Sequence, residues 1–521
     1  MTNEGSYVVV LCDLQSEVLK DRSRGKLRSE AEKDVGALLD KTWAQIRKDA
    51  LIGSFGEFAQ AVFGPENDRF KDGFKSIEED SARIRPEYDA ADLDKGILPF
   101  RLELNAKYFL NLQAGLQHLV NVLCGDLFGR ALLDIRGQVQ VRGVDLGQVG
   151  KTFETHYRQR SNDIKGIRSK FKLDDAEAIY GSRNARLKLP LLAFSVKPRN
   201  GLDRITFKRI AIGVLKAGFN LVEVDVRNID FWDEQWRDTY HEVAKVALGI
   251  TSHVARFSLN LSAPGNIALD MASKFADLHN GSGPWVVKVD GGLDGLSTIQ
   301  ALRTMFVDRQ PIITCYPILD SVLTPRIGAS TFRDMLIASG VDIIYPGGAP
   351  RIGSGDYVDI EHAERGYRNY WKLITRGWPM PSIAGGVHAG QLPTYYEMFG
   401  PNIAFFIGGG VAAHRNGAYF DSNHSQGWSL TNQLGLSGRR KPELGKLIKV
   451  DQAVGGAELC RFAVEAIALS NDEDELFNQL SEIRNHYVSD QNENVSPGLF
   501  EYQTPRNFMT SVIRPYNRIL G

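Results

Sequence analysis

The apolar positions of the chain follow two rhythms. Up to about residue 185 the pattern is mixed. An apolar run of β character covers residues 7–11, a charged helical stretch residues 29–47, a second strand-like run residues 97–104, and a helix residues 116–123, closed by Gly125. The polar stretch 155–172, rich in Arg, Lys and Asp, reads as an exposed connection.

After that stretch short apolar runs recur, each ending in Gly, Pro or a charged residue and each followed by a helical or irregular segment. They are LLAFSVKP from Leu191, FNLVEVDV from Phe219, ARFSLNLS from Ala255, WVVKVDGG from Trp285, PIITCYP from Pro311, VDIIYPGG from Val341, MPSIAGGV from Met380 and IAFFIGGG from Ile403. The first and last begin 212 residues apart, which over seven intervals is about 30 residues each, one strand–helix unit of a (β/α)8 barrel. Helical stretches at 203–217 and 234–248 lie between runs, favouring a closed parallel barrel over a doubly wound sheet.

The expected organisation is α/β: an N-terminal α+β domain over 1–185, a (β/α)8 barrel over 186–470 and a C-terminal helical extension over 471–521. The barrel is interrupted at 414–450 by an irregular segment too long to be a turn, which carries Trp428 and the basic run Arg439, Arg440, Lys441.

Composition narrows the function classes. The 521 residues are 43% apolar and 24% charged, with 51 Gly and 20 Pro, which excludes a disordered or collagenous chain. Lys and Arg number 62 against 63 Asp and Glu, a net charge of −1, so the broad attraction used by nucleic-acid and anionic-membrane binders is missing. No run of about 18 apolar residues is present, and residues 1–6 lack the basic start and apolar stretch of a signal peptide. A cytoplasmic protein with a small-molecule partner is expected. Cys12, Cys124, Cys315 and Cys460 are widely spaced and are expected to be reduced and mostly buried.

Barrel chemistry sits at the C-terminal ends of the strands. Those ends carry Lys197, Glu223, Asp225, Asn260, Lys288, Asp290, Tyr316 and Tyr345. Glu223 and Asp225 are two apart and leave one face of their strand, while Val222, Val224 and Val226 leave the other. Two inward carboxylates need a divalent cation or a lysine beside them, which leaves bound Mg2+ and a metal-free network with Lys197 or Lys288 both open. Lys197 is a candidate general acid or base, and Arg199 a fixed charge. Tyr316 and Tyr345 are candidates to hydrogen-bond a substrate, or simply packing at the barrel mouth. The clusters AGGVH and FIGGG supply Gly385, Gly386, Gly409 and Gly410, whose backbone N–H groups suit a phosphate or carboxylate.

Read in order, SVKPRNGLD from Ser195, GFNLVEVDVRN from Gly218, LNLSAPG from Leu259, AGGVHAGQLPTYYEMFG from Ala384 and FIGGGVAAH from Phe406 resemble the RuBisCO large-chain superfamily. LVNVLCGDLFG from Leu119 resembles the segment that ends that family's N-terminal domain. The resemblance implies that Lys197 is the catalytic lysine, with Arg199 where a second lysine is usual. It places Asp225 on a metal-ligand aspartate and Gly385, Gly386, Gly409 and Gly410 on phosphate-binding turns.

The departures from the family pattern are equally informative. Glu223 stands where the family has the lysine that is carbamylated and binds Mg2+, so no carbamylated lysine is expected there, and Val226 replaces the last acidic ligand. The loop PGGAPRIGSGD from Pro346 contains Arg351 but no lysine, and Tyr316 and Tyr345 stand for catalytic histidines. The resemblance therefore implies a RuBisCO-like protein of the non-carboxylating form IV type. Its expected activity is that of an isomerase, enolase or decarboxylase working through an enediolate on a phosphorylated sugar or sugar-acid derivative. Lys197, Lys288 and Tyr345 are the catalytic candidates, Glu223 and Asp225 the metal candidates, and a homodimer or higher multiple is implied. The alternative is a non-catalytic sugar-phosphate-binding or regulatory protein that has lost the metal site. An unrelated Schiff-base aldolase would need a lysine on the sixth strand, and residues 341–348 contain none.

Overall fold

The computed structural model describes residues 7–16, 19–20, 82–92, 95–112, parts of 116–120, 137–174, 188–197, 202–224, 234–263, 265–279, 283–316, 330–346, 360–385, 387, 392–412 and single positions from 457 to 464. The chain divides into two compact units. One is Met1–Arg160 with Gly291–Met305 and Pro317–Gly340; the other is Ser161–Asp290 with Phe306–Tyr316 and Val341–Gly521.

The first unit holds a four-stranded antiparallel sheet of β1 (Tyr7–Ser16), β2 (Ala82–Pro86), β3 (Ile97–Asn105) and β4 (Gly137–Asp145), in the order β2-β3-β1-β4. Val8, Val10, Cys12 and Leu14 of β1 are buried and alternate with more exposed residues, the signature of a sheet packed on one face. This alternation carries the strand past Leu11 to Ser16, because Asp13 and Gln15 fall on the outer face. Asp13 there takes an ion pair from Arg142 of β4 at 3.0 Å. β2 and β4 hold no apolar run and were not among the expected strands. The helix Gly147–Arg158 buries Val149, Phe153 and Tyr157 along one stripe, and the Tyr157 hydroxyl donates to the Leu112 carbonyl at 2.5 Å. Positions 116, 119 and 120 of the expected helix at 116–123 are helical, with Leu116 and Leu119 buried. The stretch 29–47, the insertion 414–450 and the tail 471–521 lie outside the described residues.

The second unit contains the closed barrel. Its strands are β5 (Leu191–Ser195), β6 (Leu221–Glu223), β7 (Arg256–Asn260), β8 (Val286–Asp290), β9 (Ile312–Tyr316), β10 (Ile343–Ile344), β11 (Met380–Ala384) and β12 (Ala404–Ile407). All neighbours are parallel, and β12 pairs back onto β5. Each of the eight apolar runs therefore becomes one barrel strand. Both faces are covered, which is why the runs read as nearly continuous apolar stretches. On the outer face Phe257 of β7 stacks on Tyr240 at 5.7 Å and meets Phe275 edge-on at 6.3 Å.

The inner face is apolar toward the N-terminal ends of the strands. Leu191, Ala193, Leu221, Val286, Ile312, Ile343, Met380, Ala404 and Phe406 form one buried cluster with Ile164, Ile167, Phe171 and Leu173. The last four correct the reading of 155–172 as an exposed connection. The segment is helical at Gly147–Arg158 and Ile164–Lys170, and the second helix is capped by the Asp163 carboxylate, which accepts from Gly166 N at 2.6 Å. Its apolar residues at 164, 167 and 171 keep a helical period, and the intervening Arg and Lys residues hid that stripe from a reading by composition. Arg168, on the same helix, is itself buried and donates to the Leu189 carbonyl at 2.9 Å.

Candidate active site

Toward the C-terminal ends of the strands the inner face changes character. Side-chain parity carries inward from Ala193 to Ser195 and Lys197, from Leu221 to Glu223, and from Val286 to Lys288 and Asp290. Glu223 and Lys288 are 3% and 5% exposed. Lys288 Nζ lies 3.3 Å from Glu223 Oε1, and the Ser195 hydroxyl donates to the same oxygen at 2.6 Å. Among the described residues Glu223 is thus paired with Lys288, one of the two lysines that the sequence offered.

Lys197 is half-buried at the exit of β5. Its stem runs across Gly408, where an added Cβ would lie 2.9 Å from Lys197 Cε and 3.3 Å from Cγ. The first glycine of FIGGG thus clears a path for the lysine, a role distinct from anion binding. Gly409 and Gly410 open the short helix Gly409–Ala412, whose Val411 and Ala412 N–H groups donate back to the Gly408 carbonyl at 3.1 and 3.0 Å. Gly385, directly after β11, has φ +83°, a conformation that side-chain-bearing residues rarely adopt, and it is exposed with open space where a Cβ would sit. Arg199, Asp225 and Gly386 lie outside the described residues.

A second polar group occupies the ends of β7 and β8. The side-chain oxygen Oδ1 of Asn260 accepts from Ser262 N at 2.9 Å, and the Ser262 hydroxyl lies 2.7 Å from the same oxygen and 2.6 Å from Asp290 Oδ2. Asp290 and Asn260 are buried. Beside them, Tyr316 and Tyr345 stack with centroids 5.2 Å apart and planes at 22°, and Tyr316 is 43% exposed at the mouth. The two rings are therefore packed on each other and still offer one open surface. Cys315 is buried, as are Cys12 and Cys460, and burial pushes the thiols of the latter two far above the ordinary value.

The described residues do not fit a divalent cation at Glu223. The carboxylate oxygen there already faces an ammonium ion and a hydroxyl, and among the described residues no three His, Cys, Asp or Glu side chains gather as a ligand set. Among them, too, no histidine ends a barrel strand, and no helix is long and apolar enough to cross a membrane.

No family model matches the chain. It is 24% identical over 315 residues to the ribulose bisphosphate carboxylase of Pyrococcus abyssi (strain GE5 / Orsay), covering 58% of this chain and 68% of that protein. Against the ribulose bisphosphate carboxylase large chain of Xanthobacter autotrophicus (strain ATCC BAA-1158 / Py2) it is 27% identical over 253 residues, 44% of this chain and 50% of the other. The chain is a distant homologue of the RuBisCO large chain.

Solved RuBisCO structures agree in fold. Octameric Rubisco from Pyrococcus horikoshii OT3, in complex with sulfate ion, superposes with a TM-score of 0.59 at 18% identity, covering 92% of this chain and 93% of the other. Dimeric archaeal Rubisco from Hyperthermus butylicus gives 0.60 at 16%, covering 93% and 97%.

Within the RuBisCO homologue, sequence reasoning singled out Lys197, Glu223 and Lys288, and the fold brings the last two into contact. It missed Ser195 as the second partner of Glu223, Ser262 as the link between the strand-end residues Asn260 and Asp290, and the clearance role of Gly408. The signal for Ser195 was present: it lies two residues before Lys197 and so shares the inward face. Ser262 keeps the parity of Ser258 and Asn260, so the signal for it was present as well.

Proposed function

We propose that this RuBisCO homologue does not fix CO2 and is an isomerase or lyase that moves a proton beside a carbonyl, through an enediolate, in a phosphorylated sugar or sugar-acid derivative. The observation that carries the reading is the pairing of Glu223 with Lys288 and Ser195. At the strand position where the resemblance calls for a carbamylated lysine, the chain has a buried glutamate committed to an ammonium ion.

In this reading Lys197 is the proton-transfer residue. It ends a strand, it is half-buried, and Gly408 leaves room for its stem to lie along the barrel wall. Lys288 supplies fixed positive charge below it, in a region where exclusion of water strengthens electrostatic interactions with a developing oxyanion. Gly385, Gly386, Gly409 and Gly410, with Arg199, hold the anionic end of the substrate through backbone N–H groups and a guanidinium. Tyr345 stands at the mouth as a hydroxyl partner for substrate oxygens.

The test is deuterium incorporation from D2O into a panel of phosphorylated ketoses. Wild type exchanges, Lys197→Met does not although it stays folded, and bicarbonate changes nothing. Full exchange in Lys197→Met moves the role to another residue, and activation by bicarbonate contradicts the reading of Glu223.

The stacked Tyr316–Tyr345 pair favours a second reading, in which the barrel binds a sugar phosphate without transforming it. That reading predicts ligand binding with no exchange for any member of the panel. A homodimer or a multiple of it is proposed in either case. The dimeric and octameric state of the solved neighbours supports this, as do the exposed Tyr108 and Leu110 in the segment 105–118. Sedimentation showing only monomer at micromolar concentration would count against it.

A further inference from the structure

We propose that Lys288 is the resident counter-cation of Glu223 in the barrel interior, and that this carboxylate takes no divalent metal. The inference deepens the functional reading above and rests on it only for the location of the site.

Three observations lead there. First, Glu223 ends β6 and Lys288 lies on β8, so the ammonium must reach across β7. The β7 residue in register with Glu223 is Ser258, small and fully buried, which leaves a passage that a branched or aromatic side chain would close. Second, both ionic groups are buried, and buried charges persist where each has a partner of opposite sign. Here the ammonium lies 3.3 Å from Oε1 and the Ser195 hydroxyl 2.6 Å from the same atom, so one oxygen meets a cation and a hydrogen-bond donor together. Third, a divalent ion on that oxygen would sit within a few ångströms of the ammonium and be repelled by it in a region of low dielectric. To bind, it would have to displace the lysine from the carboxylate it neutralises.

The consequence is a site whose positive charge is covalently part of the chain. It cannot be removed by a chelator, and it needs no activation step to assemble.

The test reads binding and stability, not turnover, on the full-length protein after dialysis against EDTA. Mn2+ is the probe, followed by electron paramagnetic resonance and calorimetry, in wild type and Glu223→Gln. The expected result is no stoichiometric Mn2+ that depends on Glu223, and a denaturation midpoint unmoved by Mg2+. One equivalent of Mn2+ bound by wild type and lost in Glu223→Gln would overturn the proposal while leaving the role of Lys197 standing. The pair itself is tested by Lys288→Met and the double variant Lys288→Met/Glu223→Gln. The single change takes the ammonium away from a buried carboxylate and lowers the midpoint or prevents folding, whereas the double change recovers most of the loss. Equal midpoints for wild type and Lys288→Met, or a double variant as unstable as the single one, would show that the ammonium does not balance Glu223. Absence of proton exchange on every sugar phosphate would sink the proposed reaction and leave these results readable.

Discussion

The two halves of the barrel interior are built from the same eight strands, yet they obey opposite rules. In the N-terminal half Leu191, Leu221, Val286, Ile312 and Met380 close on Ile164, Ile167 and Phe171 in an apolar plug. One strand pleat further on, the inward positions of the same strands are Ser195, Glu223 and Lys288, also buried and now ionic or hydroxylic. The lower half draws stability from burying apolar surface, at roughly 25 cal/mol per Å². The upper half must offset the desolvation of its charges by pairing them, so its gain in stability is small and its arrangement is explained by what it can bind. A two-residue step along a strand thus separates a region selected for packing from one selected for chemistry.

The largest effects should come from breaking each half in its own way. Phe171→Ala empties part of the plug and should cost about 3–5 kcal/mol in denaturant unfolding while leaving anion binding unchanged. Lys288→Met should cost a similar amount, about 3–5 kcal/mol, by stranding a buried carboxylate, and should also abolish proton exchange. If Phe171→Ala weakened ligand binding as much as it weakened the fold, the two halves would not be separable.

Gly408→Ala perturbs the rim alone. The new methyl group meets Lys197 Cε at 2.9 Å and must push the lysine aside. Displacing a reacting group by about 1 Å can cost about 10²-fold in rate, so exchange should fall by that order with little change in the unfolding midpoint. An unchanged rate would show that Lys197 reaches its substrate by a different path.

The smallest effect concerns the shell outside both halves. Burial holds the imidazoles of His253, His279 and His241 below the ordinary 6.5, chiefly by desolvation. Their folded-state pKa values are depressed, so in the window below 6.5 the unfolded chain takes up protons that the folded chain refuses, and stability falls as the pH falls through that window. Replacing His253, whose ring nitrogen lies 3.1 Å from the Phe219 carbonyl oxygen, with Gln should flatten that slope. The proton-exchange site contains none of these residues, so its ligand affinity at constant folded fraction should not follow the same curve.

Much of the barrel was legible because a strand buried on both faces leaves a nearly continuous apolar run, and eight such runs at a regular interval admit few architectures. Glu223 and Lys288 were legible as candidates because strand parity fixes which way they point. Their contact was not, since it depends on the stagger between β6, β7 and β8 and on the small size of Ser258, neither of which is local in sequence. The plug at Ile164–Lys170 was hidden for a different reason. Over residues 164–172 its three apolar residues, Ile164, Ile167 and Phe171, are outnumbered by four charged ones, so composition pointed to solvent while the helical period pointed to a buried stripe. β2 and β4 escaped because charged, polar or glycine residues interrupt their apolar positions, whereas β1 has apolar residues on both faces from Tyr7 to Leu11 and so reads as a run.

The proposed anionic ligand binds in the polar upper half of the barrel and not at the apolar base. Hydrogen exchange of the backbone, with and without a phosphorylated ketose that takes up deuterium, tests it most directly. The predicted result is slower exchange at residues 384–387 and 408–412 and at the end of β5, no change across the helix Ile164–Lys170, and loss of that protection in Gly409→Asp. Protection confined to the base, or protection at the rim that survives Gly409→Asp intact, would contradict it.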